Sequence, residues 1–285
     1  MDLSVIIPAH DATGTLRAQL DALVGQSPAG IEWEVIVVDN RSDDDPAAIV
    51  SAYADAAVSV RLVEARDEAG AGHARNVGAA GASGPHLAFC DADDIVADGW
   101  VAAMNDAIAR DGFVAGALDY ERLNPAWAVA SRGRIQDGLP LFEGAFPVAS
   151  SCNLGIDADL FSACGGFDNG FQGAEDAELS LRLWADGRPA AFAPDALVHY
   201  RLRTGLGALF RQSRGYARRH RELRSRLAEH GVAGSPRRTA VRSWLWLAAS
   251  LPSLRSPAGR ARWVWVLGQR TGSVSGLRPG MGARS

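Results

Sequence analysis

Leu87-Ala88-Phe89-Cys90-Asp91-Ala92-Asp93-Asp94 joins a short apolar run to three carboxylates within four positions. The apolar half reads as a buried β-strand. Its end delivers Asp91 and Asp93 to the rim of a sheet, where open α/β folds bind ligands. Carboxylates spaced this closely repel one another, and a fold keeps them together when something positive sits there. A divalent cation fills that role, because hard cations take carboxylate oxygens. A solvated turn leading to an acidic helix cap accounts for the same residues, so the run by itself leaves both readings open.

Upstream, residues 3–7 form an apolar β run that Pro8 is expected to end, with His10 and Asp11 just beyond. A helix is predicted over 15–24, where Leu16, Leu20 and Leu23 share a face. Residues 33–38 read as a second buried strand, closing on Asp39-Asn40-Arg41-Ser42-Asp43-Asp44. A third strand is predicted over 58–63 and a helix over 71–82. Strands alternating with helices describe an α/β domain with a mostly parallel central sheet flanked by helices. Asp11, Asp39 and Asp91 then line one edge of it. One acid at a strand end is routine capping; three on one edge argue for a site. Between them lies Gly70-Ala71-Gly72-His73-Ala74-Arg75-Asn76-Val77-Gly78. Its glycines permit close backbone approach, and the planar fork of Arg75 suits phosphate oxygens. It is neither a P-loop nor a dinucleotide fingerprint, and a flexible helix start explains it equally well.

Downstream, a helix is predicted over 100–109 and a strand over 113–118, followed by a Gly- and Pro-rich irregular segment over 124–147. Order returns at 150–156, and a short helix over 158–163 leads to Gly165-Gly166-Phe167-Asp168. Glu175-Asp176-Ala177-Glu178 opens the next helix. Acids there gain roughly 0.3–1 kcal/mol each from the helix dipole, which is enough to explain Glu178. Glu175 and Asp176, at the helix mouth, equally face a cleft, where a carboxylate serves as a general base. His199 comes after a short strand; it is either structural or a ligand for a divalent transition ion.

The chain of 285 residues carries a formal charge of −4, which hides a marked asymmetry. All 29 of its basic residues are Arg. From His199 onward 18 Arg face only Glu222 and Glu229, a charge of +16, which leaves −20 on the residues before it. An acidic front and a basic tail do not share one task. Cys90, Cys152 and Cys164 are scattered, odd in number and without metal-ligand spacing, which suggests a reducing compartment. The first residues lack the basic and apolar regions of a signal peptide, and no stretch reaches the roughly 18 apolar residues of a membrane span. A cytoplasmic location is expected.

Five stretches, in this order, resemble the family-2 glycosyltransferases of the GT-A fold: Ser4-Val5-Ile6-Ile7-Pro8; Glu34-Val35-Ile36-Val37-Val38-Asp39-Asn40 with Ser42-Asp43-Asp44; Ala74-Arg75-Asn76-Val77-Gly78; Asp91-Ala92-Asp93-Asp94; and Gly165-Gly166-Phe167-Asp168 with Glu175-Asp176. The resemblance covers about residues 3–203. It implies an inverting transferase that takes a sugar from a nucleoside diphosphate (UDP, GDP or dTDP). The acceptor would be a hydroxyl of a glycan, a lipid-linked or a small-molecule compound, as in cell-envelope polysaccharide synthesis. It further implies that Pro8, Ala9 and Asp11 border the nucleotide, that Asp39 bonds the base and that Arg75 lies near the diphosphate. Asp91 would contact the ribose or the metal shell, Asp93 would bind Mn²⁺ or Mg²⁺, and His199 would complete the shell. Asp176 would deprotonate the acceptor, oriented by Glu175, while Asp94 would cap the next element. Family members commonly carry an aromatic residue and Asn where His10 and Asp11 stand. A catalytically silent nucleotide-sugar-binding protein on the same fold is the alternative, against which the intact acids Asp91, Asp93 and Asp176 argue. A nucleotidyltransferase is disfavoured by the missing Gly- and Lys-rich phosphate loop.

The sequence divides into a catalytic domain over 1–203, a basic helical extension over 204–275 and a disordered tail over 276–285. In the extension an Arg-rich helix is predicted over 210–227. Two further stretches, Ser243-Trp244-Leu245-Trp246-Leu247 and Arg260-Ala261-Arg262-Trp263-Val264-Trp265-Val266-Leu267, hold four of the eight Trp. Arg beside Trp and Leu suits an interfacial helix on anionic lipid, peripheral on the inner face of the plasma membrane. A hairpin packed on the catalytic domain, or a dimer contact, explains the same composition. No recognition motif supports nucleic acid.

Overall fold

A computed structural model describes residues 1–132, 135–232 and 236–274; the tail expected to be disordered, 276–285, lies outside the described residues. The chain divides into two compact units. One comprises 1–125 and 132–202, the other 126–131 and the residues from 203 onward.

The first unit is built on one eight-stranded sheet. Its strands are β1 (Leu3–Ala9), β2 (Trp33–Asp39), β3 (Ser59–Glu64), β4 (His86–Cys90), β5 (Ile95–Val96), β6 (Phe113–Asp119), β9 (Asn153–Asp157) and β10 (Ala191–His199). They lie in the order β3-β2-β1-β4-β9-β6-β10-β5. β1 runs parallel to β2 and β4, β2 to β3, and β6 to β10. β9 is antiparallel to both its neighbours, β4 and β6, and the short β5 is antiparallel to β10. The C-terminal ends of β1, β2, β4, β6 and β10 therefore share one edge. Ala9, Asp39, Cys90, Asp119 and His199 stand there.

Alternation along β1 shows why the sheet is covered on both faces. Val5 and Ile7 enter one core with Leu16, Leu20, Trp100 and Met104; Ile6 enters the other with Val38, Phe89, Phe161 and Leu179. Strands buried on both sides read as continuous apolar runs, as β1, β2 and β4 do. Helices α1 (Thr13–Val24) and α4 (Trp100–Asp111) supply the first core; α3 (Ala71–Ala80), α6 (Ala158–Ala163) and α7 (Glu175–Ala185) supply the second. At Gly78 of α3 an added Cβ would lie 2.5 Å from Ile6 Cγ2 and 2.9 Å from Val38 Cγ2. That close approach is what the glycine of Ala74-Arg75-Asn76-Val77-Gly78 provides.

Several boundaries differ from expectation. Pro8 does not end β1, which continues to Ala9. Pairing with β4 stops at Ile6, so the missing Pro8 N–H breaks no ladder bond on that side. His199 is the last residue of β10 rather than a residue beyond it. The segment expected to be irregular contains α5 (Ala126–Arg132) and a small hairpin, β7 (Leu141–Phe142) with β8 (Phe146–Pro147). One helix in the first unit, α2 (Pro46–Val50), is a single capped turn: the Asp45 side chain accepts from the Ala48 N–H.

The second unit is helical, with α8 (Leu206–Glu229), α9 (Pro236–Ala249) and α10 (Pro257–Val274). α8 and α10 pack closely. Gly268 and Gly272 of α10 oppose Ser213 and Ala217 of α8, and a Cβ at either glycine would lie 2.9 Å from the facing Cβ. Ser213 Oγ donates to the Trp265 carbonyl at 2.5 Å. Arg221 covers the carbonyls of Gly272 and Ser273 near the α10 C-terminus, where a cation suits both the orphan carbonyls and the helix dipole. Among the described residues no helix is long and apolar enough to cross a membrane.

Candidate active site

The rim is assembled from three groups of side chains. The first joins the turns after β1 and β2. Asp39 Oδ1 accepts the Ser42 N–H at 3.0 Å, and its other oxygen meets Arg66 at 3.1 Å. Asp11, held at φ 50, takes a left-handed conformation that Asp tolerates better than most residues. Its Oδ1 accepts the Asp43 N–H at 2.8 Å, and its own N–H donates to Ser42 Oγ. Asp44 accepts the Thr13 N–H at 2.8 Å, and His10 Nδ1 lies 3.0 Å from the Asn40 carbonyl. Asn40 ties this group to the next loop: its amide donates to the carbonyls of Ala65 and Glu68 and accepts the Gly70 N–H. Side chains therefore zip the two turns into one ledge beside Pro8 and Ala9.

The second group is centred on Arg75. Arg75 is buried, with its side chain 3% exposed. Its guanidinium meets Asp91 Oδ1 at 2.6 Å and Glu175 Oε1 at 3.2 Å. The same plane lies over the Phe167 ring at 5.8 Å. Burial alone would lower its pKa, but the charges of Asp91 and Glu175 carry it upward. Asn76, the next residue, pairs with both backbone groups of Phe167, accepting its N–H at 2.9 Å and donating to its carbonyl at 2.8 Å. Arg75-Asn76 thus holds the acidic turn, the Gly165-Gly166-Phe167-Asp168 segment and the mouth of α7 together.

At that mouth Glu175 also accepts the Gly173 N–H. Asp176 accepts the amides of Ser151 and Ala177 at 3.3 and 2.7 Å. Burial, and then the neighbouring Glu175 charge, push the Asp176 carboxyl up to about 6, close to where a general base works best.

The third group surrounds the acidic turn. Asp93 faces solvent, whereas Asp94 is 1% exposed. Asp94 does not cap a following helix. Its Oδ1 accepts the Arg201 N–H at 2.7 Å, and its buried Oδ2 has no partner among the described residues. Burial, then the charges of Asp91 and Asp93, raise its pKa well above the carboxylate range. Gln19, fully buried on α1, brackets the turn by donating to the Asp91 carbonyl and accepting the Val96 N–H. Register places the end of β10 alongside, since His199 pairs with Ile95. His199 Nδ1 lies 2.6 Å from Asp119 Oδ2. Burial would raise Asp119, but the Glu121 amide and His199 outweigh it, and the net shift is downward. An ionised carboxylate only accepts, so Nδ1 is the donor of this pair and Nε2 is the ring nitrogen turned away from it. This is how a metal-binding His is usually oriented.

Among the described residues one donor set converges at the turn. Oxygens of Asp91 and Asp94 and Cys152 Sγ lie within 4.8 Å of one another. Burial and the Asp91 charge raise the Cys152 thiol well above its usual range, so it stays protonated and does not suit a hard cation. Carboxylate and imidazole, as in Asp93 and His199, are the ligand types that suit Mn²⁺ or Mg²⁺.

Comparison with known proteins fits this architecture. Residues 4–162 match the family described as Glycosyl transferase family 2, and the chain belongs to that family. Glycosyltransferase AglE of Haloferax volcanii is 27% identical over 199 residues, 68% of this chain and 65% of that protein. The uncharacterized glycosyltransferase YibD of Escherichia coli is 31% identical over 138 residues, 48% of this chain and 38% of that one. The chain thus spans less than two thirds of the length of either relative. The mannosyltransferase PcManGT of Pyrobaculum calidifontis, solved with GDP-Man and Mn²⁺, superposes with a TM-score of 0.62 at 19% identity, covering 94% of this chain and 86% of that one. The fold is GT-A.

Proposed function

We propose that the chain is a metal-dependent, inverting glycosyltransferase that moves a sugar from a nucleoside diphosphate (UDP, GDP or dTDP) to a hydroxyl of a glycan, lipid-linked or small-molecule acceptor. The observation that carries this reading is Arg75, which ties one acid of the β4 turn and one acid of the α7 mouth into a single rim. The ledge of Pro8, Ala9, Asp11 and Asp39 borders the nucleotide. Asp93, Asp91 and His199 would hold the divalent cation, with Asp119 orienting His199. When bound, the cation supplies Lewis-acid stabilisation of charge on the departing diphosphate. Asp176 takes the proton of the acceptor hydroxyl. As that oxygen bonds the anomeric carbon, the bond to the diphosphate oxygen breaks on the opposite face, which inverts the centre. Glu175, fixed by Arg75, orients this carboxylate and holds its pKa up. Residues 204–275 place the enzyme on an anionic membrane surface, the inner face of the plasma membrane.

A thermal-shift panel of UDP, GDP and dTDP, each with and without Mn²⁺, tests the donor reading. A ligand that binds only the native state stabilises it by about 2.7 kcal/mol at a hundred times its Kd. One nucleotide is expected to raise Tm, and only with Mn²⁺. No shift with any of them would contradict the proposal.

A further inference from the structure

The two Trp-rich stretches of the extension have opposite fates. On α10, Trp263 Nε1 donates to the Leu247 carbonyl at 3.0 Å, and Trp265 packs edge-on against Tyr216 at 6.1 Å. On α9, Leu247 is buried and Arg262 lies over Trp246 at 5.4 Å. These side chains are used up inside the helical unit. The other face of α9 is not. Val241 is 60% exposed, Trp244 47% and Leu245 66%, with Ala248 exposed one turn on and Leu251 at 54% just past the helix. Spacing of three, four and seven residues makes this one stripe, and large apolar side chains grouped in water mark an interaction surface.

The charge around the stripe selects its occupant. Arg242, Arg255 and Arg260 are exposed beside it, and the sequence has no acidic residue after Glu229. A second copy seated with the same face against this one would set Arg against Arg with no acid on either extension after Glu229 to neutralise them. A surface both apolar within and anionic outside fits, and a bilayer carrying anionic phospholipid is such a surface. We propose that the outer face of α9, with Leu251, inserts into the headgroup boundary of an anionic membrane, while α8 and α10 form the support behind it. This rests on the membrane role proposed for the extension and narrows it to one helix face.

Flotation of the full chain with phosphatidylcholine vesicles, with and without phosphatidylglycerol, tests it. The protein should float only with phosphatidylglycerol and be released by high salt, since surface charge is screened within a Debye length. Trp244→Ser with Leu245→Ser should cut the bound fraction at least ~10-fold, by loss of apolar burial. Both positions are exposed, so the variant should keep its Tm, its nucleotide binding and its solution mass. Should the unmodified chain float with neither vesicle, the membrane role of the whole extension falls. Flotation of the variant at the unmodified level overturns the α9 assignment alone. A lower solution mass in the variant would identify a second copy as the occupant and overturn it too.

Discussion

The β4 turn and the mouth of α7 each present acids to the rim, and Arg75 takes one from each. Asp91 and Glu175 are bound to its guanidinium. Asp93 is exposed, and Asp176 is held by backbone amides. The two clusters then diverge. At the turn, burial and the charges of its neighbours drive the Asp94 carboxyl upward, while Asp93 faces solvent. At the helix mouth crowding falls on Asp176 itself, raised to about 6. Sharing Arg75 thus fixes one acid of each cluster, Asp91 and Glu175, beside a second acid whose setting suits a metal at the turn and a proton at the helix mouth.

Breaking the comparison at its catalytic end gives the largest effect. Asp176→Asn removes the proton acceptor and should lower kcat by about 10²–10⁴-fold, the usual contribution of a positioned base, with nucleotide affinity little changed. Steady-state transfer and donor titration measure both; an active variant would show that the base lies elsewhere. Arg75→Met attacks the hinge. It leaves Asp91 and the buried Glu175 without a counter-charge, which costs about 3–5 kcal/mol when one partner of a buried pair is lost. Urea melts should show it, and an unchanged midpoint would mean that the network is not structural.

Smaller changes sharpen the contrast. Asp119→Ala frees His199 Nδ1 and should weaken Mn²⁺ affinity about 10–100-fold, read by metal titration of nucleotide binding. Glu175→Gln keeps an acceptor for Arg75 but removes the charge that helps to raise Asp176. With Asp176 as the proposed base, the rate should rise with pH through about 6 in the unmodified enzyme. The variant should move that limb to more acid pH; a limb that stays or rises would contradict the coupling.

Much of the fold was legible in the chain because buried strands announce themselves. β1, β2 and β4 carry the apolar runs 5–7, 35–38 and 87–90, which lead into Pro8, Asp39 and Asp91, and α6 falls on its expected residues. Direction was not legible. Residues 153–157 read as ordered, but that β9 runs against β4 and β6 depends on how the chain returns, which no local pattern encodes. The hairpin of β7 and β8 is two residues a side, too short for any periodicity. Single polar residues were missed for a similar reason. Gln19 sits on the apolar stripe of α1 with Leu16 and Leu20, and that misplacement was its one signal. Asn153 bonds Trp100 Nε1 and the carbonyls of Ala117 and Ala196 from a position that the sequence marks only as ordered. Arg75 was recognised, but its protein partners were not: they are 16 and 100 residues away, and a planar fork suits a carboxylate as well as a phosphate. In the extension, composition identified Arg and Trp but not which Trp turn inward.

Nucleotide binding as a function of Mn²⁺, in the unmodified protein and in Asp93→Asn and Asp94→Asn, tests the division of labour most directly. Mn²⁺-dependent stabilisation by the bound nucleoside diphosphate should vanish in Asp93→Asn and survive in Asp94→Asn, whose side-chain oxygen still accepts the Arg201 N–H. The reverse pattern, with Asp93→Asn responding to Mn²⁺ and Asp94→Asn blind to it, would contradict the account.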